Sequence, residues 1–317
     1  MHDKASSSWK SGLGRDTWMR RIAQIGAEHG LYDRIGKRHL GLYVEEGETL
    51  LVAFDRADRV WSEAPDGLPA GFEMVRRRSW SLLSIMAVGE TWFRDPALER
   101  FFSVLTAGGI LRRYSSVVFY GVGPECGFAA CVHSATMPGA RVLAASPVAT
   151  LNHADVPFER RFRAARRLDF TGPSGNAPLA LRSASDALVL YDPAETADAA
   201  QAALFNGANT TRVGLPHAGR DFEAILHGEE AAVPLLRMLS RGRCDPARVR
   251  AALKGPCREA PGTMIRRARA AMVQGHSGRA ALIARHGYAA SGDRRLGALL
   301  TEIEARRKED LSETETA

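Results

Sequence analysis

The chain lacks several features that would place it in a common class at once. It has no run of about 18 apolar residues, so the sequence predicts no transmembrane helix and no membrane partner. Residues 1–12 are polar and contain no apolar core of a secretory signal peptide. Only 4 cysteines occur in 317 residues, and none is paired at a metal-ligand spacing. These absences favour a reducing cytoplasmic location and a protein without a metal or other cofactor.

Positive charge is the main bias in the composition. The chain has 43 Lys and Arg against 36 Asp and Glu, a net charge of +7. An acidic partner could explain this excess, but charge alone informs on solubility and non-specific binding, so an arginine-rich composition is the simpler interpretation. The arginine-rich C-terminal segments carry no interleaved aromatic residues and no nucleic-acid motif. We therefore expect no nucleic-acid partner.

Residues 115–130 carry the strongest local pattern in the chain. Residues 117–120 form a short apolar run typical of a parallel strand that is covered on both faces. Gly121 and Gly123 permit a tight turn, and the small residues that follow let a helix lie close to the sheet. The amide groups that open such a helix favour an anion at the turn. The sequence therefore predicts a strand, a glycine turn and a helix.

Two of the known uses of this arrangement fit poorly. A dinucleotide-binding fingerprint could use Gly121, Gly123 and Gly127, but no acidic residue ends the next strand, 142–145, to bind a ribose. A phosphate-binding P-loop needs Gly-Lys-Ser/Thr after the turn, and that motif is missing. Nucleotide binding is therefore kept only as the weakest functional alternative.

The third use is the nucleophile elbow of α/β-hydrolases, G-x-S-x-G. The turn resembles the Tyr-Gly-x-Ser-Met-Gly-Gly-Tyr-Ala-Ala form of that elbow in Tyr120-Gly121-Val122-Gly123 and Gly127-Phe128-Ala129-Ala130. It contains one residue more than the family pattern. The nucleophile position falls on Gly123 when counted forward from Gly121, and on Pro124 when counted back from Phe128. Neither has a nucleophilic atom, so the resemblance implies a hydrolase scaffold with a vacant nucleophile position at Gly123.

The order of two later polar residues agrees with this resemblance. Asp192 ends an apolar strand at 187–191, and His217 follows the last strand, 210–215. Elbow, acid and histidine is the chain order of an α/β-hydrolase triad, which implies catalytic-type positions at Asp192 and His217. The alternative is that Asp192 caps a helix beginning at Pro193 and that His217 is an ordinary loop residue.

Cys126 is the nucleophile nearest the turn. A thiolate at a helix N-terminus is stabilised by the helix dipole, which defines an enzymatic alternative, acyl or sulfuryl transfer through Cys126. However, Pro124 and Phe128 stand where an elbow has glycines, and Glu125 opposes thiolate formation. The preferred interpretation is a small buried apolar side chain.

The tetrapeptide Glu125-Cys126-Gly127-Phe128 also resembles the Glu-Cys-Gly-Leu-His tail of sulfonucleotide (phosphoadenosine phosphosulfate) reductases. The whole chain resembles alphaproteobacterial proteins that carry that reductase name. In that family the cysteine attacks the sulfonucleotide, and a Ser-Gly-Gly loop binds its phosphates. This chain has no such loop, and its tetrapeptide lies in mid-chain, so the residues support the activity poorly.

Alternating strand and helix patterns predict an α/β fold class, with a mostly parallel sheet, helices on both faces and a C-terminal α-helical extension. Residues 40–44 and 50–54 are expected to pair as a hairpin around 45–48. The expected organisation is a disordered N-terminus at 1–15, an α/β-hydrolase-like domain at 16–235 with a cap inserted around 149–184, tetratricopeptide-like helices at 236–309 and a disordered tail at 310–317.

The predicted cap is rich in arginine. Arg160, Arg163 and Arg167 are expected to bind a ligand together with Gly121 and Pro124 at the turn, because guanidinium groups recognise phosphate, sulfate and carboxylate. The alternative is a solvated face of a cap helix. The leading hypothesis is thus a cytoplasmic pseudoenzyme that binds a small anionic ligand or a protein partner without serine chemistry. Whether any enzymatic activity remains is left open.

Overall fold

The computed structural model describes residues 14–227 and 229–315. Within these residues the chain builds one eight-stranded sheet in the order β1-β2-β4-β3-β5-β6-β7-β8. The strands are β1 Gly30–Ile35, β2 His39–Val44, β3 Thr49–Arg56, β4 Ser81–Ala87, β5 Ser116–Val122, β6 Arg141–Ala145, β7 Asp186–Tyr191 and β8 Thr210–Gly214. β2 runs against both of its neighbours, and every other neighbouring pair is parallel. The predicted fold class, α/β and α/β-hydrolase-like, is confirmed.

Helices cover both faces of this sheet. They are α1 Arg15–His29, α2 Ala57–Ser62, α3 Phe72–Arg78, α4 Pro96–Ala107, α5 Pro124–His133, α6 Ala177–Ala180, α7 Thr196–Ala203, α8 Phe222–His227, α9 Glu229–Ser240, α10 Pro246–Glu259, α11 Pro261–Val273, α12 Ser277–Ser291 and α13 Arg294–Glu315. No helix in the described ranges combines the length and the apolar character that crossing a bilayer requires.

Central strands bury side chains on both faces, as their uninterrupted apolar sequences predict. In β3, Leu51 and Ala53 belong to the apolar cluster on one face, whereas Val52 and Phe54 belong to the cluster on the other. This alternation follows from the period of two residues in a strand. Helix α5 is buried along its whole length, so the elbow is set into the centre of the molecule.

The predicted hairpin between β2 and β3 is wrong. β4 lies between these two strands, antiparallel to β2 and parallel to β3. The connection at 45–48 is instead fixed by Ser81, whose hydroxyl accepts the backbone N–H groups of Glu46 (3.1 Å) and Gly47 (3.2 Å). β3 is apolar on both faces and therefore gains more from a central position. The edge strand β1 was missed because most of its residues are exposed.

The predicted C-terminal helices are present, and they pack partly on the main core. Helix α9 continues through the predicted boundary at 235/236, and its Leu235, Leu236 and Leu239 lie in the main core. Helix α10 also packs there, whereas α11–α13 enclose an apolar cluster of their own. Helix α13 extends to Glu315, into the segment predicted as a disordered tail. Residues 1–13 of the predicted disordered N-terminus lie outside the described residues.

Candidate functional site

The strand, glycine turn and helix are present as predicted. β5 ends at Val122, α5 begins at Pro124, and Gly123 between them has a φ of 90°, a conformation that favours glycine. A Cβ at Gly121 would lie 2.0 Å from the carbonyl oxygen of Cys126, so this position also excludes a side chain. The turn lies at the carboxyl edge of the parallel sheet, where α/β proteins bind ligands.

A carboxylate from another part of the chain occupies the space next to the vacant nucleophile position. A Cβ at Gly123 would lie 2.8 Å from Oε1 of Glu223 on α8. Glu223 forms a short ion pair with Arg59 of α2. Burial raises the pKa of the Glu223 carboxyl, and the charge of Arg59 opposes that rise. The space in which a side chain at position 123 would lie is thus next to a carboxylate–guanidinium pair.

The residue after Gly123 lacks a backbone group that α/β-hydrolases use in catalysis. In α/β-hydrolases the oxyanion hole uses the backbone N–H of the residue that follows the nucleophile. Here that residue is Pro124, which has no backbone N–H. Neither an attacking atom nor this oxyanion donor is available at the turn.

Asp192 and His217 do come together, but not as an acid–base pair. The Asp192 carboxylate is completely buried. Its Oδ1 accepts the backbone N–H groups of Ala194 (2.8 Å) and His217 (2.9 Å), and its Oδ2 accepts that of Gly219 (2.7 Å). In the described structure no hydrogen bond joins the His217 imidazole to this carboxylate. Asp192 holds two loops together, and it does not cap a helix at Pro193, because α7 begins at Thr196.

The loop that carries His217 is fastened to the C-terminal helices. His217 has a φ of 67°, and its carbonyl oxygen accepts the Nε–H of Arg266 on α11 at 2.8 Å. Arg266 also binds the carbonyl of Ala218 and pairs with Asp221 at 3.0 Å. In this position His217 lines a concavity among the C-terminal helices and does not line the cavity above the elbow.

Cys126 lies inside the packing of α5, as its flanking residues predict. The residue is 4% exposed and belongs to the apolar cluster beneath the helix. Burial raises the pKa of the Cys126 thiol well above its usual range, and the adjacent Glu125 raises it further. Oε1 of Glu125 accepts the backbone N–H groups of Thr91 (2.8 Å) and Trp92 (2.6 Å) and so fixes the loop after β4. Neither side chain is placed for nucleophilic chemistry.

A cavity of about 520 Å³ opens above the turn, and we call it the elbow cavity. Its floor and walls include Gly123, Pro124, Ser146, Phe162 and Phe222. Because its floor is the turn itself, any ligand in the cavity would lie directly over the vacant nucleophile position.

Most charges on the wall of the elbow cavity are already paired. Beside the pair at Glu223, Arg161 binds Asp198 at 2.5 Å. Asp198 also accepts the hydroxyl of Ser146 at 2.5 Å, and Ser146 has a φ of 51°. Arg220 and Glu195 are the exceptions, since no side-chain hydrogen bond or ion pair of either occurs in the described part of the chain. Of the four lining arginines, Arg220 is the one whose guanidinium has no partner in these residues.

The arginines predicted to bind the ligand lie elsewhere. Arg160, Arg163 and Arg167 are exposed, and none of them lines the elbow cavity. The cap does not form the predicted helix at this point; it consists of turns and a short 3-10 segment, Ala165–Arg167. Its backbone therefore does not direct these side chains together, and only Arg161 reaches the cavity.

The glycine turn does not provide a phosphate-binding cradle. The N–H of Gly123 donates to the carbonyl of Ala145 at 2.8 Å, and Pro124 has no N–H to offer. Positions 123 and 124 therefore offer no free N–H group to a phosphate. In the ranges 14–227 and 229–315, no group of three or more His, Cys, Asp or Glu side chains is placed to hold a metal.

Sequence patterns missed four of the side chains that shape the cavity: Arg59, Ser146, Asp198 and Glu223. Ser146 could have been found, because it ends β6 at the carboxyl edge of the sheet. Arg59 and Glu223 are 164 positions apart, and no local pattern links them.

No family model matches the chain, and no curated protein matches it. It is similar to the solved structure of a capsule O-acetyltransferase of Neisseria meningitidis serogroup A, with 11% identity, a TM-score of 0.44 and coverage of 72% of this chain and 98% of that one. It is also similar to a putative carboxylesterase from Lactobacillus plantarum, with 10% identity, a TM-score of 0.45 and coverage of 64% of this chain and 92% of that one. A carboxyl esterase from Tuber melanosporum has 10% identity, a TM-score of 0.39 and coverage of 64% of this chain and 81% of its own.

The topology of the sheet and the turn after β5 define an α/β-hydrolase-like protein. The resemblance to sulfonucleotide reductases has no support, because its cysteine is a buried helix residue.

Proposed function

We propose that this protein binds a small anionic molecule in the elbow cavity and does not hydrolyse it. The observation that carries the proposal is the position of Glu223, whose Oε1 would lie 2.8 Å from a Cβ at Gly123. A negative charge at this point repels the developing oxyanion that an esterase must stabilise. Pro124 removes a donor that the oxyanion would need.

The size and charge of the elbow cavity support a small ligand with an anionic group. Its volume of about 520 Å³ falls within the range of about 300–1,000 Å³ for ligand pockets. The lining includes four arginines and three carboxylates, an excess of one positive charge. Arg266 is paired with Asp221, which is not part of the lining, so Arg220 and Glu195 are the lining charges without a partner in the described residues. Arg220 is exposed, and its guanidinium is the group proposed to bind a carboxylate or phosphate.

The first test restores the missing hydroxyl. Neither the wild type nor Gly123→Ser is expected to hydrolyse 4-nitrophenyl acetate above the buffer background. In the variant, the new serine would lie against Glu223 and would lack an oxyanion donor. The variant should also lose about 1–3 kcal/mol of unfolding free energy, since serine is strained at a φ of 90°. Wild-type turnover that falls in Ser146→Ala or His217→Ala would contradict the proposal.

The second test concerns binding. A set of small carboxylates and phosphates is screened by saturation-transfer NMR, and each hit is measured against two charge-reversal variants. Arg220→Glu is expected to weaken binding at least tenfold. Arg163→Glu changes the same charge on an exposed cap residue outside the cavity and should leave binding unchanged. Equal losses in both variants would show that net charge, and not the elbow cavity, is responsible.

A further inference from the structure

A second concavity, which we call the helix cavity, lies between the loop after β8 and helices α10, α11 and α12. Its volume is about 500 Å³. Five of its lining residues are basic: Arg258, Arg267, Arg279, His217 and His286. No Asp or Glu occurs among its lining residues. None of the features used for the proposed function belongs to this cavity.

The three guanidinium groups of the helix cavity have no counter-charge. Throughout the described residues, no hydrogen bond or ion pair involves the side chain of Arg258, Arg267 or Arg279. The neighbouring Arg266 shows the contrast, because it binds Asp221 and two backbone carbonyls. Like charges that converge without a counter-ion repel each other, so this arrangement favours an anion between them.

The fold brings these cations together from separate elements. Arg258 lies in the last turn of α10, Arg267 on α11 and Arg279 near the start of α12. Helices α11 and α12 pack closely through small residues, which fixes the spacing of their arginines; these include Ala268, Ala271, Ala280 and Ala284. The loop of His217 is fixed in turn by Asp192 and Arg266. The backbone positions from which these basic side chains extend are therefore fixed before any ligand arrives.

We propose that the helix cavity is a second binding site, specific for a small anion that carries more than one negative charge, of the phosphate or pyrophosphate class. Guanidinium groups bind such oxygens through paired hydrogen bonds, and several of them can share one polyanion. The ring nitrogens of His217 and His286 add further possible donors. A cavity of about 500 Å³ accommodates a single small molecule of this kind.

The test uses sodium pyrophosphate as the probe and isothermal titration calorimetry at constant ionic strength, since salt screens exposed charges. Arg258→Gln/Arg279→Gln is expected to weaken binding at least tenfold, because it removes two charge-assisted contacts. Both residues are exposed, so the fold should be retained. The matched control is Arg241→Gln/Arg248→Gln, which removes the same charge from exposed positions in a different concavity. It should retain the wild-type affinity.

Arg267→Lys provides a second variant, which keeps the charge and loses the guanidinium fork. It is expected to weaken pyrophosphate binding severalfold with unchanged circular dichroism. Equal losses in the two double variants would overturn the proposal, because binding would then follow net charge alone. No measurable binding of millimolar pyrophosphate to the wild type would overturn it as well. The elbow-cavity variant Arg220→Glu should not affect this affinity, so the two proposals can fail separately.

Discussion

The elbow cavity and the helix cavity have similar volumes, about 520 and about 500 Å³, but they differ in how far their lining charges are paired. Beside the elbow, Arg59 and Arg161 each face a carboxylate. In the helix cavity, Arg258 and Arg267 face none in the described structure. Beside the turn, these two guanidinium charges are thus neutralised within the protein. The C-terminal helices have created an open cationic site beside it.

One residue connects the two cavities. The Asp192 carboxylate accepts the N–H of Gly219, which lines the elbow cavity, and that of His217, which lines the helix cavity. In a hydrolase triad this acid would orient the imidazole. Here it orients the backbone of the loop between the cavities, while Arg266 holds the same loop to α11. Asp192 therefore positions the backbone of this loop and does not bind the imidazole in the described structure.

The largest expected loss of stability comes from removing the Asp192 carboxylate. Asp192→Ala leaves three partly buried N–H groups without their acceptor and should lower the free energy of unfolding by about 3 kcal/mol. Asp245→Ala is the control, since Asp245 caps α10 and accepts one N–H there, from Ala247, and its loss should cost about 1 kcal/mol. Urea denaturation measures both. Similar losses would mean that Asp192 is only a local turn residue.

The pairing beside the elbow can be broken at Glu223. Glu223→Gln leaves the Arg59 guanidinium without its counter-charge and should cost about 2 kcal/mol, less than for a fully buried pair because Arg59 is partly exposed. Glu304→Gln breaks the exposed pair with Arg285 and should cost no more than about 0.5 kcal/mol. If Glu223→Gln lowers the free energy of unfolding by no more than Glu304→Gln does, the contrast between a cavity with paired charges and one with unpaired charges is refuted.

Asp55 gives the elbow region a dependence on pH. Burial raises the pKa of its carboxyl to about 7, while the N–H of Ala70, which it accepts at 2.7 Å, acts against that rise. The folded protein therefore keeps a proton that the unfolded chain releases at lower pH, so stability should fall as the pH rises from about 4 through about 7. Between about pH 5 and about pH 8, the free energy of unfolding should decrease by about 1–2 kcal/mol less in Asp55→Asn than in the wild type. An unchanged pH profile of unfolding would be inconsistent with this assignment.

The smallest expected effect concerns the open cavity. Arg258→Gln should change the free energy of unfolding by no more than about 0.5 kcal/mol, because this exposed side chain has no partner in the described structure to lose. Any change at low salt should be towards greater stability, since repulsion with Arg267 and Arg279 is relieved. A clear destabilisation, measured by thermal unfolding in low and high salt, would show that Arg258 is already compensated.

The sequence predicted the elements that rest on local chemistry. Glycines at 121 and 123, followed by Pro124, define the turn, and the apolar runs of the central strands define a covered parallel sheet. The predictions that failed concern relations between distant segments. β4 lies between β2 and β3, and the cap arginines predicted to bind the ligand, Arg160, Arg163 and Arg167, do not line the elbow cavity. The periodicity of a segment shows which face is apolar, but not which segment will cover it.

The sequence by itself determined that this elbow has no nucleophile, because glycine and proline at the turn carry no group that could attack. Only the tertiary structure decided what replaced it. Glu223 and Arg59 meet beside Gly123 across 164 positions of chain, and Asp192 binds the backbone of His217, leaving the imidazole on the side of the helix cavity. These outcomes depend on how helices and loops pack around a common sheet edge, and contacts of that kind leave no pattern in the local sequence.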